Sequence, residues 1–175
     1  MTKFKNNLRA LPLAALCLIV LGGAAAIAQR QLRTSERGRP EVKVSLSGAV
    51  ARGDERLPLE KAQSVNPGEV LDWTIISEND GNAPAHNYKA VGQIPKGTVL
   101  VAGSTTADGT ASVSYSIDNG KTFSAEPTIE ERQADGTVKQ VPAPVSMYTQ
   151  LRYEWADPLA ADGGKLQASY KVRVK

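Results

Sequence analysis

Short runs of alternating apolar and polar residues, separated by Gly, Pro, Asn and Asp, fill the chain after its N-terminal region. In VLDWTIIS, Leu71, Trp73 and Ile75 share one face of an extended strand, and Asp72 and Thr74 share the other. This period of two, repeated between turn-forming residues, is typical of an all-β sandwich or barrel. Trp73 is flanked in phase by two aliphatic residues, so we predict that it is a central core residue.

Other runs follow the same alternation. EVKVSLSGAV, ASVSYSI and MYTQLRYEWA each place a set of apolar residues on one face: Val42, Val44 and Leu46; Val113, Tyr115 and Ile117; Leu151, Tyr153 and Trp155. Hairpin turns are predicted at Asp118-Asn119-Gly120 and at Asp135-Gly136, because Asn and Gly accept left-handed backbone angles. No segment after Gln29 keeps an apolar period of 3.6 residues, so no substantial helix is predicted.

The first residues of the chain carry a targeting pattern. MTKFKNNLR has three positive charges and no acid, and the apolar stretch after it, Ala10 to Ala28, ends in the small-residue triplet Ala26-Ile27-Ala28. This predicts a signal peptide over residues 1–28, cleaved before Gln29, and hence a secreted, periplasmic or cell-envelope protein. An uncleaved membrane anchor is the alternative, because a spanning helix needs about 17–20 apolar residues.

Removal of residues 1–28 changes the charge balance. The chain has 21 Lys plus Arg, and three of them, Lys3, Lys5 and Arg9, lie in the predicted signal peptide, which leaves 18 against 18 Asp plus Glu. Residues 29–40 form a predicted flexible basic arm. The domain predicted at 41–175 has no basic stripe, so nucleic acid is excluded as a partner. The one cysteine, Cys17, also lies in the signal peptide, and the core must stabilise the domain without disulfides.

One segment resembles a known family. Residues 65–104, VNPGEVLDWTIISENDGNAPAHNYKAVGQIPKGTVLVAGS, resemble the signature of the DUF11 domain, an extracellular repeat of bacteria and archaea. The matching positions are Pro67-Gly68, Trp73, Asn79, Gly81-Asn82-Ala83-Pro84-Ala85, Ile94-Pro95, Gly97 and Gly103-Ser104. Gly92 stands where Asp is common in the family, and Ser77 stands where an apolar residue is common. The resemblance implies a single immunoglobulin-like β-sandwich in an envelope or surface protein, usually without a known enzymatic role.

The loop NDGNAPAHN, residues 79–87, has two interpretations. As a turn, Gly81 would supply a positive φ, and Asn79 and Asp80 would bond neighbouring backbone amides. As a calcium loop, Glu78, Asp80 and Asn82 would offer oxygens at alternate positions. We favour the turn, because the usual calcium loop needs more ligands and a bidentate acid at a set distance.

Candidates for catalysis are few. His86 is the only histidine, and no G-x-S-x-G motif accompanies it for a serine triad. Glu130 and Glu131 are adjacent, so in a strand they point to opposite faces and cannot act as a carboxylate pair. We therefore expect no catalytic, cofactor-binding or metal-binding residue, and no cofactor.

Two functions from different classes remain open. The first is a non-enzymatic envelope or surface module that contacts another envelope protein or a wall polymer, with the membrane involved only through an uncleaved N-terminal segment. The second is a carbohydrate-binding module, suggested by the proximity of Tyr148, Tyr153 and Trp155, because sugars stack on exposed aromatic faces. The phase that Tyr153 and Trp155 share with Leu151 argues for core positions instead.

Overall fold

The computed structural model describes residues 38–53 and 55–175. Eleven β-strands occur in the described residues: β1 Val42–Arg52, β2 Glu55–Pro58, β3 Val70–Asn79, β4 Lys89–Gln93, β5 Thr98–Leu100, β6 Thr106–Ala107, β7 Ala111–Ser116, β8 Thr128–Arg132, β9 Val138–Pro142, β10 Gln150–Trp155 and β11 Gly164–Val174. The helical elements among them are two short 3-10 turns, Leu59–Lys61 and Val145–Met147. The all-β prediction is confirmed. Within these residues, no helix has the length and apolarity to span a bilayer.

The larger sheet has the order β2-β1-β3-β11-β5, with β6 also paired to β11. Its longest ladders join β1 to β3, from Val42↔Asn79 to Ala51↔Val70, and β11 to β3, from Gly164↔Asn79 onward. Both ladders are antiparallel and unbroken. The three long strands therefore form the centre of this sheet.

The smaller sheet has the order β4-β10-β7, and β8 and β9 form a separate two-stranded ribbon. The ribbon turns at Gly136, whose φ is +87°, which confirms the predicted Asp135-Gly136 hairpin. The predicted turn after β7 is also present, with φ of +60° at Asn119 and +84° at Gly120. After this turn the chain returns to form a bridge between Tyr115 and Ser124.

One apolar cluster lies between the two sheets. The larger sheet contributes Val50, Leu71, Ile75, Ala168, Tyr170 and Val172, and the smaller sheet contributes Ala90, Leu151, Tyr153 and Trp155. The predicted core faces of β3 and β10 are thus confirmed. Burial raises the pKa of Tyr170 to about 12, and its hydroxyl donates to the carbonyl of Gln93 across the core at 2.6 Å.

Trp73 and the start of β1 differ from expectation. Trp73 is half-buried at the margin of the core, where its ring lies beside Gly48, so the prediction of a central position is wrong. Val44 and Leu46 do share a face, as predicted, but remain 59% and 53% exposed. Val50, farther along the same face, is fully buried, so burial on this face increases toward the end of β1.

Gly92 and Ser77 each make a specific contact in the core. A Cβ at Gly92 would lie 2.6 Å from the Tyr170 ring, so only glycine leaves room for that ring. Ser77 is buried and accepts a hydrogen bond from the Tyr88 hydroxyl at 2.8 Å.

The predicted signal peptide, residues 1–28 with Cys17, lies outside the described residues. So do positions 29–37 of the predicted arm.

Candidate functional site

The loop at 79–87 is organised around a buried amide. Asn79 is fully buried. Its Oδ1 accepts hydrogen bonds from the backbone N–H of Glu41 at 2.9 Å and of Gly81 at 3.1 Å. Its Nδ2 donates to the carbonyls of Ala83 at 2.8 Å and of Leu159 at 3.3 Å. One side chain therefore joins the start of β1, this loop and the loop before β11.

The prediction that Gly81 supplies a positive φ is wrong. Gly81 is not among the positive-φ residues, and the left-handed residue of this loop is Asn87, at φ +52°. A Cβ on Gly81 would instead collide with the backbone of Arg39 and Glu41. Glycine is required here because two chain segments pass close together.

The oxygens proposed as calcium ligands are engaged elsewhere. Asp80 forms an ion pair with Lys43 at 2.6 Å, and Glu78 forms one with Lys165 at 3.2 Å. Asn82 Oδ1 accepts from the backbone N–H of Arg39 at 2.8 Å. Within the described residues, no group of three or more His, Cys, Asp or Glu side chains has the arrangement of a metal site. The loop contacts therefore favour the turn interpretation.

The aromatic residues considered for sugar stacking lie mostly inside the protein. Tyr153 is fully buried, and Trp155 is 5% exposed. The Tyr153 hydroxyl donates to the carbonyl of Ser169 at 2.6 Å, and Trp155 Nε1 donates to that of Asp108 at 2.9 Å. Tyr148 is half-buried and stacks on Tyr115, with ring centroids 4.9 Å apart. These residues do not form an exposed platform.

The other catalytic candidates belong to separate elements of the chain. His86 is exposed in the 79–87 loop, far along the chain from the ribbon strand β8 that carries Glu130 and Glu131. Both of these acids are exposed.

A different surface combines several polar groups: the outer face of the larger sheet, directed away from the core. Its register aligns a row of hydroxyls across four strands. Ser47 on β1 pairs with Thr74 on β3, Thr74 pairs with Ser169 on β11, and Ser169 pairs with Thr106 on β6. Thr106 Oγ1 and Ser169 Oγ share a hydrogen bond of 2.7 Å. Adjacent strands lie about 4.8 Å apart, so the row extends roughly 14 Å across the sheet.

Charged side chains lie in the next row of the same face. Asp72 on β3 pairs in register with Lys171 on β11, and its carboxylate forms an ion pair with Arg56, which reaches in from β2. Asp72 is only 7% exposed, whereas the Arg56 side chain is 65% exposed. An isolated carboxylate would be costly to bury, so Arg56 stabilises Asp72 in this position while part of its guanidinium still faces solvent.

Two concave spaces meet at this ion pair. One, of about 160 Å³, lies between β1, β2 and β3 and is lined by Ser47, Thr74 and Pro58. The other, of about 520 Å³, lies toward the segment 101–106 and is lined by Ser104, Thr106, Ser169 and Lys171. Arg56 and Asp72 line both. We call the combined surface the outer groove.

The outer groove has the chemistry of a binding surface. Its two cations and one acid leave an excess of positive charge, and its hydroxyls can both donate and accept hydrogen bonds. The arrangement suits a ligand that carries anionic and hydroxyl groups. The acid in the groove is already paired with Arg56, and the groove is not lined by histidine or cysteine that could activate a serine or threonine hydroxyl.

Sequence reasoning did not identify the outer groove. It placed Asp72 and Thr74 on the face opposite the core, which is confirmed, but it treated that face as ordinary solvated surface. Arg56, Asp72 and Lys171 are far apart in the chain, and only the strand register brings them together. The one available signal was the hydroxyl and acid content of the outward positions of β3.

Comparison with protein-family models, curated proteins and solved structures found no match.

Proposed function

We propose that this protein is a non-enzymatic interaction module of the cell exterior, built as a single immunoglobulin-like β-sandwich of the DUF11 type. The residue pattern at 65–104 supports the family, and two antiparallel sheets around one core support the sandwich. The outer groove is the observation that carries the proposed function. Its hydroxyl row and its Arg56–Asp72–Lys171 charges provide hydrogen-bonding groups and charge for a ligand, and its one acid is already held in an ion pair.

Export is part of the proposal. It rests on the N-terminal charges, the apolar stretch Ala10 to Ala28 and the A-x-A ending. We expect the protein to be recovered outside the cytoplasm with Gln29 as its first residue. Intact-mass measurement of the recovered protein checks this. A mass that retains Met1 in a membrane fraction would replace the cleaved signal with an anchor.

A wall polymer is the partner that the outer groove favours, because such polymers combine hydroxyl and anionic groups. The same hydroxyl row supports the second candidate, a carbohydrate-binding module. Burial of Tyr153 and Trp155 means that sugar binding here would depend on hydrogen bonds and charge, rather than on stacking against those rings. Another envelope protein remains the alternative partner.

The experiment is a co-sedimentation assay with insoluble wall polymer from the producing cell. Lys171→Gln removes the charge of one exposed groove cation and adds no second acid opposite Asp72. We expect it to weaken binding about tenfold or more, since a hydrogen bond to a charged group contributes about 1.5–3 kcal/mol.

Lys139→Gln is the matched control, because Lys139 is an equally charged, exposed residue on the separate β8-β9 ribbon. It should bind as the wild type does. If both variants weakened binding equally, the loss would be caused by the change in net charge. The outer groove would then no longer support the proposal. Absence of wild-type binding would exclude the polymer and leave a protein partner to be identified by cross-linking.

A further inference from the structure

The first half of β1 is an open sheet edge. β2 pairs with β1 only at residues 49–52, and Leu59 packs against Gly48. From Val42 to Ser47, the strand is paired with β3 on one side, and among the described residues no strand pairs with its other side. We call this segment, residues 42–47, the open edge.

The direction of the free backbone groups follows from the ladder. The N–H of Asp80 donates to the carbonyl of Glu41 at 3.0 Å, so Glu41 directs its carbonyl toward β3. In an antiparallel pair this direction alternates with each residue. Val42, Val44 and Leu46 therefore direct their N–H and C=O groups outward, as Val50 does where it pairs with Leu57 of β2.

Exposed apolar side chains lie on the same residues. Val44 and Leu46 are 59% and 53% exposed, although they face the core side of the sheet. Natural proteins usually protect such an edge with an outward lysine or with proline. The open edge carries one charge, that of Lys43, whose side chain is 79% exposed and forms an ion pair with Asp80, and Pro40 lies before the strand. The open edge is therefore both unpaired and weakly protected.

We propose that the open edge binds a second copy of this chain, as an antiparallel β1–β1 pair around a twofold axis at Val44. An isologous contact requires a strand that is complementary to itself. The three outward-directed residues are symmetric about Val44. This register forms hydrogen bonds between Val44 and Val44 of the partner copy, and between Val42 and Leu46 in both directions.

The side chains fit the same register. On the core side, the aliphatic residues Val42, Val44 and Leu46 of one copy lie opposite the same aliphatic set of the other. On the outer side, Lys43 lies opposite a serine, Ser45, and its charge is already paired with Asp80. If the register shifted by one residue, the outward N–H and C=O groups of one strand would lie opposite residues of the other strand whose N–H and C=O groups point away.

The contact is small, so the association depends on concentration. The fit to a second copy, rather than to an unrelated strand, rests on this self-complementarity of both hydrogen bonds and side chains. The open edge and the outer groove share only Ser47, so the two proposals rest on different contacts.

Site-directed cross-linking of the full chain tests the register, with Cys17→Ser in every variant to remove the native thiol. In Val44→Cys, the two cysteines would have Cα atoms about 5.5 Å apart, within the range of about 4.4–6.8 Å for a disulfide. We expect mild oxidation to convert it to a covalent dimer. Leu46→Cys, similarly exposed on the same face, would lie opposite Val42 and should remain mostly monomeric.

Sedimentation analysis over a concentration series tests the association itself. Leu46→Lys should abolish the dimer, whereas Val138→Lys, a control at a residue 57% exposed on β9, should retain it. Equal cross-linking of Val44→Cys and Leu46→Cys would overturn the register. A wild-type protein that remains monomeric at every concentration, or a dimer that survives Leu46→Lys, would overturn the proposal.

Discussion

Replacing Tyr170 by Ala should lower the free energy of unfolding by about 3–5 kcal/mol, the usual cost of truncating a large aromatic core residue. Tyr170 is 1% exposed, its ring fills the space over Gly92, and its hydroxyl bonds Gln93 on the other sheet. The truncation would leave a cavity between the sheets and an unpaired carbonyl. Urea denaturation of the purified protein measures the change.

Two controls separate these contributions. Tyr170→Phe keeps the ring and removes the bond to Gln93, so it should cost only about 1 kcal/mol. Tyr148→Ala truncates a half-buried tyrosine that stacks on Tyr115, and should cost less than Tyr170→Ala. A Tyr170→Ala variant as stable as Tyr148→Ala would show that Tyr170 is not the residue that joins the sheets.

The second large effect is expected at Asn79. Asn79→Ala should lower the free energy of unfolding by about 2–4 kcal/mol, because each buried polar group left without a partner costs about 1–3 kcal/mol. The groups that would lose their hydrogen bond to the Asn79 side chain are the amides of Glu41 and Gly81 and the carbonyls of Ala83 and Leu159. Some of them regain water in the variant, so the total is less than their sum. The denaturation midpoint reports the change.

Asn82→Ala is the matched control in the same loop. Asn82 is exposed, and its side chain accepts one hydrogen bond, from the amide of Arg39. Its loss should cost less than about 1 kcal/mol. Similar destabilisation by the two alanine variants would mean that the loop is not organised around Asn79, and would reopen the question of a ligand there.

Local patterns were sufficient to predict the all-β class, the inward faces of two strands and two turns. Alternation identified the core faces of β3 and β10, and Asn-Gly or Asp-Gly identified the turns after β7 and β8. The prediction of a central position for Trp73 failed because alternation identifies the face of a strand that points inward. It does not show how deeply each residue on that face is buried. The same limit applies to Val44 and Leu46, which share the face of the buried Val50 and yet remain exposed.

The candidate site was less predictable, because strand order and register determine it. Asp72 could be placed on the outer face from its phase alone. Its contact with Arg56 depends on the short strand β2 returning beside β1, and its proximity to Lys171 depends on β11 pairing with β3. No local pattern in the chain encodes either pairing.

The two long ladders on β3 also determine how the domain responds to mechanical load. Val42 and Gly164 both pair with Asn79, so β1 and β11 begin at the same end of the sheet, and Val174 ends β11 at the other. A pulling force applied at Gly38 and Lys175 would therefore act along the strands. Many backbone hydrogen bonds would bear the tension together and would have to break together, rather than open one after another. Such a domain resists stretching between two attachment points.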